Sequence, residues 1–233
     1  MNEYEAMYRH ERKYVISEAQ LLVFKSRISC KMQRDPHAGK DGMYNIRSLY
    51  FDDYVNRCYY ENENGIDPRE KFRIRIYNHS TERIALECKR KERGKTLKTS
   101  CLLTLEQAQR LIQGKTLADK ENLHPLLRKL LMEKQMHLLQ PVVIVEYERI
   151  PYVYKNGNVR VTFDTNISAV ANIGEFFGEN LPKRQIMPAG QHLMEVKFDE
   201  YLPDFIYKSL NLENLQQSAY SKYYLSRKFM LHK

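Results

Sequence analysis

Seven stretches of this chain alternate between apolar and charged or polar residues with a period of two. They are "ERKYVI" (11–16), "IRSLYFD" (46–52), "EKFRIRIYN" (70–78), "RIALECKRK" (83–91), "VVIVEYERI" (142–150), "NVRVTFDT" (158–165) and "HLMEVKFD" (192–199). Strand geometry sends alternate side chains to opposite faces, so each stretch predicts a strand with one apolar face and one charged face. In "EKFRIRIYN" the residues Phe72, Ile74 and Ile76 take one face, while Arg73, Arg75 and Tyr77 take the other. Two arginines at roughly 7 Å in a medium of effective dielectric near 20 repel by about 2 kcal/mol. A sheet carrying them needs water or an anion at that face.

The same division recurs along the chain. Glu11 and Lys13 share a face of the first stretch, Glu87, Lys89 and Lys91 of the fourth, Arg160, Thr162 and Asp164 of the sixth, and Glu195 and Lys197 of the last. The opposite faces carry Leu86 and Cys88, then Val159, Val161 and Phe163, then Met194, Val196 and Phe198. Two architectures accommodate this pattern. An open antiparallel sheet leaves the charged face in water. A closed barrel turns the charges inward and covers its apolar outside with helices, and closure removes the exposed edges. Charges enclosed in that way need water, ions or a polyanion, because an unpaired buried charge is expensive. Arginine forks match phosphate oxygens, and the isolated acids Glu11, Glu87 and Glu195 suit a site that also holds phosphate through a divalent metal.

Helices interrupt the strands. "SEAQLLVFKSRI" opens with a capping box of Ser17 and Gln20, and "TLEQAQRLIQG" repeats it with Thr104 and Gln107. Pro125 sits near the start of a helix over 124–139, and "NLENLQQSAYSKYYLSRKFML" turns helical in its second half. Asn156-Gly157 signals an antiparallel hairpin that brings Tyr147, Arg149 and Arg160 to neighbouring strands. The 233 residues fit one α+β domain covering 1–233, and the net charge of +9 directs it towards anionic partners. No apolar run reaches the roughly 20 residues that span a bilayer, and the charged beginning of the chain has no signal core. Four cysteines without C-x-x-C spacing fit a reducing cytoplasm. Two "GKT" triplets lack the first P-loop glycine, whose place is held by Lys89 and Gln109, and the seven histidines show no metal-ligand spacing.

The ordered run "ERKYVI", "RSLYFDD", "KFRIRIYN", "ALECKRK…GKTLKTS", "VEYERIPY", "NVRVTFDT", "MEVKFD", "SAYSKYYLSR" resembles the VTC domain. This is the polyphosphate polymerase domain of the triphosphate tunnel metalloenzyme superfamily. The resemblance implies a closed antiparallel β-barrel of eight strands, a tunnel fold with helices packed outside, whose basic interior binds triphosphate and a divalent metal. By match of motifs the basic catalytic residues of the tunnel are Lys13, Arg73, Arg75, Lys89, Arg149 and Lys222. Lys98, Tyr147, Arg160 and Ser221 bind substrate, and Glu195 is the metal ligand for Mn²⁺ or Mg²⁺. Arg69 or Lys71 fills a further basic position in the loop before the third strand.

The implied reaction is transfer of the γ-phosphate of a nucleoside triphosphate, ATP in the first instance, to a growing polyphosphate chain. Two departures qualify it. The hydrolytic branch of the superfamily begins E-x-E-x-K, whereas this chain reads Arg9-His10-Glu11-Arg12-Lys13, which favours the polymerase branch over a triphosphatase or cyclase. Eukaryotic polymerases carry a lysine where this chain has Ala219. The resemblance further implies a free-standing, bacterial-type domain in the cytoplasm, with a membrane-protein partner open to it. The alternatives are a triphosphate or polyphosphate hydrolase, and a polyphosphate- or nucleotide-binding module without turnover. A nucleic-acid surface built from the 17 tyrosines and the basic residues is not expected.

Overall fold

Every alternating stretch forms a strand in the computed structural model, which describes residues 8–115, 117 and 122–231. The strands are β1 (His10–Ser17), β2 (Gln33–Arg34), β3 (Tyr44–Asp52), β4 (Arg69–Tyr77), β5 (Ser80–Glu92), β6 (Lys95–Leu103), β7 (Gln140–Tyr154), β8 (Val159–Val170), β9 (Arg184–Gln185) and β10 (Gln191–Phe198). Eight of them run in the order β1-β10-β8-β7-β3-β4-β5-β6, while the two-residue β2 and β9 pair with β7 and β8. All pairings are antiparallel. The eighth long strand, β6, is the stretch "KTLKTSCLL", most of whose apolar residues, Cys101, Leu102 and Leu103, crowd at one end and break the period of two.

The expectation of a closed barrel needs correction. The sheet curls into a half-barrel, and its edge strands share no ladder. They meet at one bridge, in which Arg9 and Thr96 exchange two N–H···O bonds of 3.0 Å. Further along, the free edge of β1 is taken by a segment from the other end of the described chain. Ser218 N donates to the Lys13 carbonyl at 2.8 Å, and Tyr14 bridges to Gln217. With the Lys13 carbonyl taken and Tyr14 bridged in that way, this part of the β1 edge is covered against β6.

The helices are α1 (Glu18–Ser29), α2 (Arg57–Glu63), α3 (Leu105–Ile112), α4 (Pro125–His137), α5 (Asp204–Ser209) and α6 (Lys222–Leu231). Both capping boxes form, with Gln20 N donating to Ser17 Oγ and Gln107 N to Thr104 Oγ1. The Asn156-Gly157 signal becomes a turn of 3₁₀ helix over Asn156–Asn158, where Gly157 takes φ 73° and β7 and β8 pair across it. The short helix α2 falls partly on a stretch that reads as loop, because "YENENG" has little helix propensity. It is held instead by Asp52, whose carboxylate accepts from Cys58 N at 2.8 Å and Tyr59 N at 3.3 Å. No helix among the described residues is long and apolar enough to cross a membrane.

Apolar strand faces pack outward, as the alternation requires. Phe72, Ile74, Ile76, Leu86 and Cys88 share a core with residues of α3 and α4. Val159, Val161, Phe163, Met194, Val196 and Phe198 share another with residues of α1 and α5. A third cluster joins Tyr50, Val143, Val145, Tyr147 and Leu193 to Tyr59 of α2 and Tyr223 of α6. The concave side is therefore divided: part is apolar and plugged by α2 and α6, and the charged residues occupy the rest.

One buried ion pair faces the other way. Arg47 on β3 is fully buried on the outer side of the sheet, where Nε donates to Glu146 Oε2 at 2.6 Å. Its Nη1 donates to the carbonyls of Phe176 and Gly178 at 2.8 and 2.6 Å, so the pair clamps the loop after β8. Breaking a buried pair leaves an uncompensated charge. Arg47→Met is expected to lower stability to urea by about 3 kcal/mol. Adding Glu146→Gln should restore part of that loss, and an unchanged midpoint in the single variant would refute the clamp.

Candidate active site

The concave side holds a cavity of about 570 Å³. Its walls are built by the strand faces that alternation sets apart: Glu11 and Lys13 from β1, Glu195 and Lys197 from β10, Tyr147 and Arg149 from β7, Lys71, Arg73 and Arg75 from β4, Lys89 and Lys91 from β5, and Lys98 from β6. Asn62 of α2 and residues 217–223 complete it. Among the described residues Glu11 and Glu195 are the only acids in a lining otherwise dominated by cations.

The anion required by the paired arginines is present in the chain itself. Glu87 lies opposite Arg73 in the β4–β5 register, and its Oε2 accepts from Arg73 Nε at 2.7 Å with Arg75 Nη1 at 3.6 Å. Lys98 reaches its other oxygen at 3.1 Å. Burial disfavours this carboxylate, but Arg73, Arg75 and Lys98 outweigh burial and hold its pKa well below the usual range. Hydroxyls finish the coordination: Arg73 donates to Tyr50 Oη at 3.1 Å, and Arg75 donates to Ser48 Oγ at 3.1 Å and Tyr147 Oη at 3.3 Å.

A second set surrounds Asp164. Arg149 grips it with both prongs, at 2.6 and 2.7 Å, and Lys222 Nζ lies 2.6 Å from Oδ2. Lys222 also sits 4.6 Å from the centre of the Tyr147 ring. Burial raises the Asp164 pKa, but Arg149 and Lys222 more than reverse this and it falls below its ordinary value. The third set is Glu11, Glu195 and Lys13. Lys13 Nζ lies 3.2 Å from Glu11 and 3.8 Å from Glu195, and donates to the Tyr220 carbonyl at 2.9 Å. Although burial opposes its charge, the two glutamates hold the Lys13 ammonium above the usual lysine value. Lys89 donates to Glu11 at 2.5 Å, yet burial prevails there and brings its pKa down to about 8.

The structure thus brings Lys13, Arg73, Arg75, Lys89, Lys98, Tyr147, Arg149, Glu195, Ser221 and Lys222 to one cavity. Arg160 lies apart from it. Its guanidinium donates to Asp35 at 2.5 Å and Tyr44 Oη at 2.8 Å, near the hairpin end of β8. The acid that draws it away sits in the loop after β2, and no strand pattern reveals that loop's path. Lys71 is on β4 itself, two residues before Arg73, and the alternation Arg69, Lys71, Arg73, Arg75 is the signal that places it. Tyr50, within "RSLYFDD" but given no role by it, and Asn62 also line the cavity.

Comparison with known folds defines the class first. A candidate adenylate cyclase from Bacillus halodurans matches 92% of this chain and 94% of its own, at TM-score 0.53 and 15% identity. A Hippeastrum protein described as a candidate adenylyl cyclase with a dominant triphosphatase activity matches 96% of both chains, at TM-score 0.54 and 14% identity. The PH1819 protein of Pyrococcus horikoshii matches 95% of this chain and 99% of its own, at TM-score 0.50 and 13% identity. At such identities the likeness is one of fold. No curated protein sequence matches. The family is settled by sequence: the VTC domain matches residues 8–231, and the chain belongs to that family.

Glu87 offers a direct test of how the cations are balanced. Glu87→Gln leaves Arg73, Arg75 and Lys98 facing one another, and should cost the empty protein about 3 kcal/mol. Inorganic tripolyphosphate should then raise the melting temperature of the variant by more than it raises that of the parent, since it supplies the missing charge. An equal rise in both proteins would show that the ligand does not reach these arginines.

Proposed function

We propose that this domain is a polyphosphate polymerase-type phosphotransferase, moving the γ-phosphate of a nucleoside triphosphate onto a polyphosphate chain held in the basic cavity. The observation that carries it is the imbalance of the lining: many cations converge from six strands and one helix end, and a handful of carboxylates pair with most of them. Such a surface suits a ligand with a charge on every phosphate. Membership of the VTC family supports the same substrate class.

Arg73, Arg75 and Arg149 present planar forks to non-bridging oxygens, and Lys13, Lys89 and Lys222 add point charges. Buried, already desolvated and held by carboxylates behind them, they need little reorganisation when charge shifts towards the leaving group. The attacking oxygen belongs to a phosphate and is anionic at neutral pH. No protein base is required, which fits a lining without histidine apart from His10.

The family implies a divalent cation, and Glu195 with Glu11 would hold it. The two carboxylates lie side by side across β1 and β10, and the Thr162 hydroxyl, paired in register with Glu195, is buried without a hydrogen-bond partner. This is a hard oxygen donor set suited to Mg²⁺ or Mn²⁺, which take remaining ligands from phosphate and water. When bound, such an ion supplies charge neutralisation to the phosphates. No cluster of three acidic, histidine or cysteine ligands gathers among the described residues.

Hydrolysis is the second reading, because the Hippeastrum protein of the same fold is described with triphosphatase activity. Against it stands Arg9, at the position of the first acid of the hydrolytic motif, whose guanidinium pairs with Asp199 at 2.8 Å. We place the reaction in the cytoplasm, where ATP is available and the four cysteines remain thiols; a membrane-protein partner is compatible with it.

Incubating the pure protein with ATP and Mn²⁺ should yield long polyphosphate on a gel, with little free phosphate. Free phosphate alone would establish a hydrolase, and binding without turnover would establish a binding module. Glu195→Gln should lose metal-dependent turnover while retaining the melting-temperature rise with metal-free tripolyphosphate; full activity in that variant would move the metal elsewhere.

A further inference from the structure

Most cations of the cavity have a carboxylate at hand, but among the described residues Lys71 and its neighbours Arg69 and Lys91 form no ion pair with one, and of the three Lys71 lies deepest. Lys13 and Lys89 have Glu11, Arg73 has Glu87, Arg149 and Lys222 have Asp164, and Lys197 has Glu195. Lys71 has neutral partners. Its Nζ donates to Asn62 Oδ1 at 3.0 Å, lies 3.5 Å from Ser221 Oγ, and sits 5.0 Å from the centre of the Tyr223 ring. No acid of the described residues forms an ion pair with it.

The charges that face it from the surrounding elements are mostly of its own sign. Arg69 and Arg73 flank it on β4, Lys89 lies opposite it on β5 with Lys91 beyond, Lys13 faces it from β1, and Lys222 adjoins Tyr223 on α6. From α2 come Cys58 and Glu61; Glu61 acts from beyond ion-pair range, and the Cys58 thiol is itself pushed up by burial. The Tyr50 phenol of β3 is held below its ordinary pKa by Arg73 and Arg75 against the effect of burial, and it accepts a hydrogen bond from Arg73. Burial, reinforced by Arg69, Lys13 and Lys89, brings the Lys71 pKa down to about 7.

We propose that Lys71 is a proton-coupled phosphate contact: the incoming phosphate chain supplies the counter-charge this amine lacks, and binding draws one proton from the buffer onto Nζ. The neutral amine, a proton from solution and the anionic ligand become an ammonium–phosphate pair, with no other bond made or broken. Because Asn62 and Ser221 hold Nζ in the empty protein, the same event couples occupancy of the cavity to α2 and to the start of α6. The inference rests on the triphosphate reading of the site.

The sign is fixed by linkage. Below the free-state pKa the amine is already charged and contributes no pH dependence. Above it, affinity falls about tenfold per pH unit until the pKa of the complex is reached.

Isothermal titration calorimetry with metal-free inorganic tripolyphosphate, run near pH 8 in two buffers of different ionisation heat, counts the protons taken up. The parent should take up roughly one proton more than Lys71→Arg, whose charge does not titrate, while the ligand's own protonation and that of Lys89 appear equally in both. Between about pH 7 and pH 8 the parent should lose affinity about fivefold more than the variant. Equal uptake in the two proteins overturns the role of Lys71 and leaves the cavity's function standing. Failure of the parent to bind at either pH overturns the triphosphate reading as well.

A measurement on the unaltered protein guards against a variant that does not fold. Carbon-13 spectra of labelled lysine ε-carbons should show one resonance with a midpoint near pH 7 in the free protein. Tripolyphosphate should move that midpoint upward, and the absence of any such lysine overturns the proposal.

Discussion

Four carboxylates on the concave side, Glu11, Glu87, Asp164 and Glu195, allow the rest of this structure to exist. Each is buried, and each is shared among two or more cations that would otherwise repel across a narrow space. Isolated desolvated charges would cost several kcal/mol apiece. Shared carboxylates reduce that cost without cancelling the positive potential, so the cavity is stable when empty and still attractive to an anion of high charge.

The curl is completed by side chains and by a borrowed segment more than by a barrel ladder. At one end of the seam the Arg9–Thr96 bridge is reinforced by Glu11, which reaches across to Lys89 and to the Thr96 hydroxyl at 3.2 Å. At the other, Gln217 and Ser218 lie along β1, and the chain continues into Ser221 and Lys222 at the start of α6. That helix is fixed in turn by Tyr223, whose phenol donates to Asp52, the same carboxylate that holds α2. Burial with Asp52 alongside keeps the phenol firmly protonated, so the link persists across the neutral range. The functional wall is thus a continuation of the backbone that seals the sheet.

Much of this was legible in the sequence because period-two alternation is a strong constraint. It placed Phe72, Ile74 and Ile76 outward and Arg73 and Arg75 inward, and the capping boxes at Ser17 and Thr104 located two helix starts. Three kinds of information were hidden. The β6 strand has most of its apolar residues crowded at one end, without the regular alternation that announces the others, and pairs with β5 along its length. The apolar half of the concave side arises from β3 and β7, where Ile46, Val143 and Val145 face inward although neighbouring strands send charge there. Finally, partners far apart in sequence are invisible to local pattern: Asp35 captures Arg160, Glu87 neutralises Arg73, and Ser218 occupies the edge that a closed barrel would have used.

The pairing of β1 with β10 sets an order in time. His10–Ser17 is the first strand of the sheet to be synthesised, and its partner Gln191–Phe198 is the last. At ordinary elongation rates of about 5 to 20 residues per second the first strand waits roughly 10 to 40 s for the second. A bare apolar strand left unpaired for so long would invite association with other nascent chains. Here the first half of the waiting strand carries Glu11, Arg12 and Lys13, with Arg9 before them. The charges that later line the cavity first serve to keep an orphan strand in solution until the chain returns to claim it.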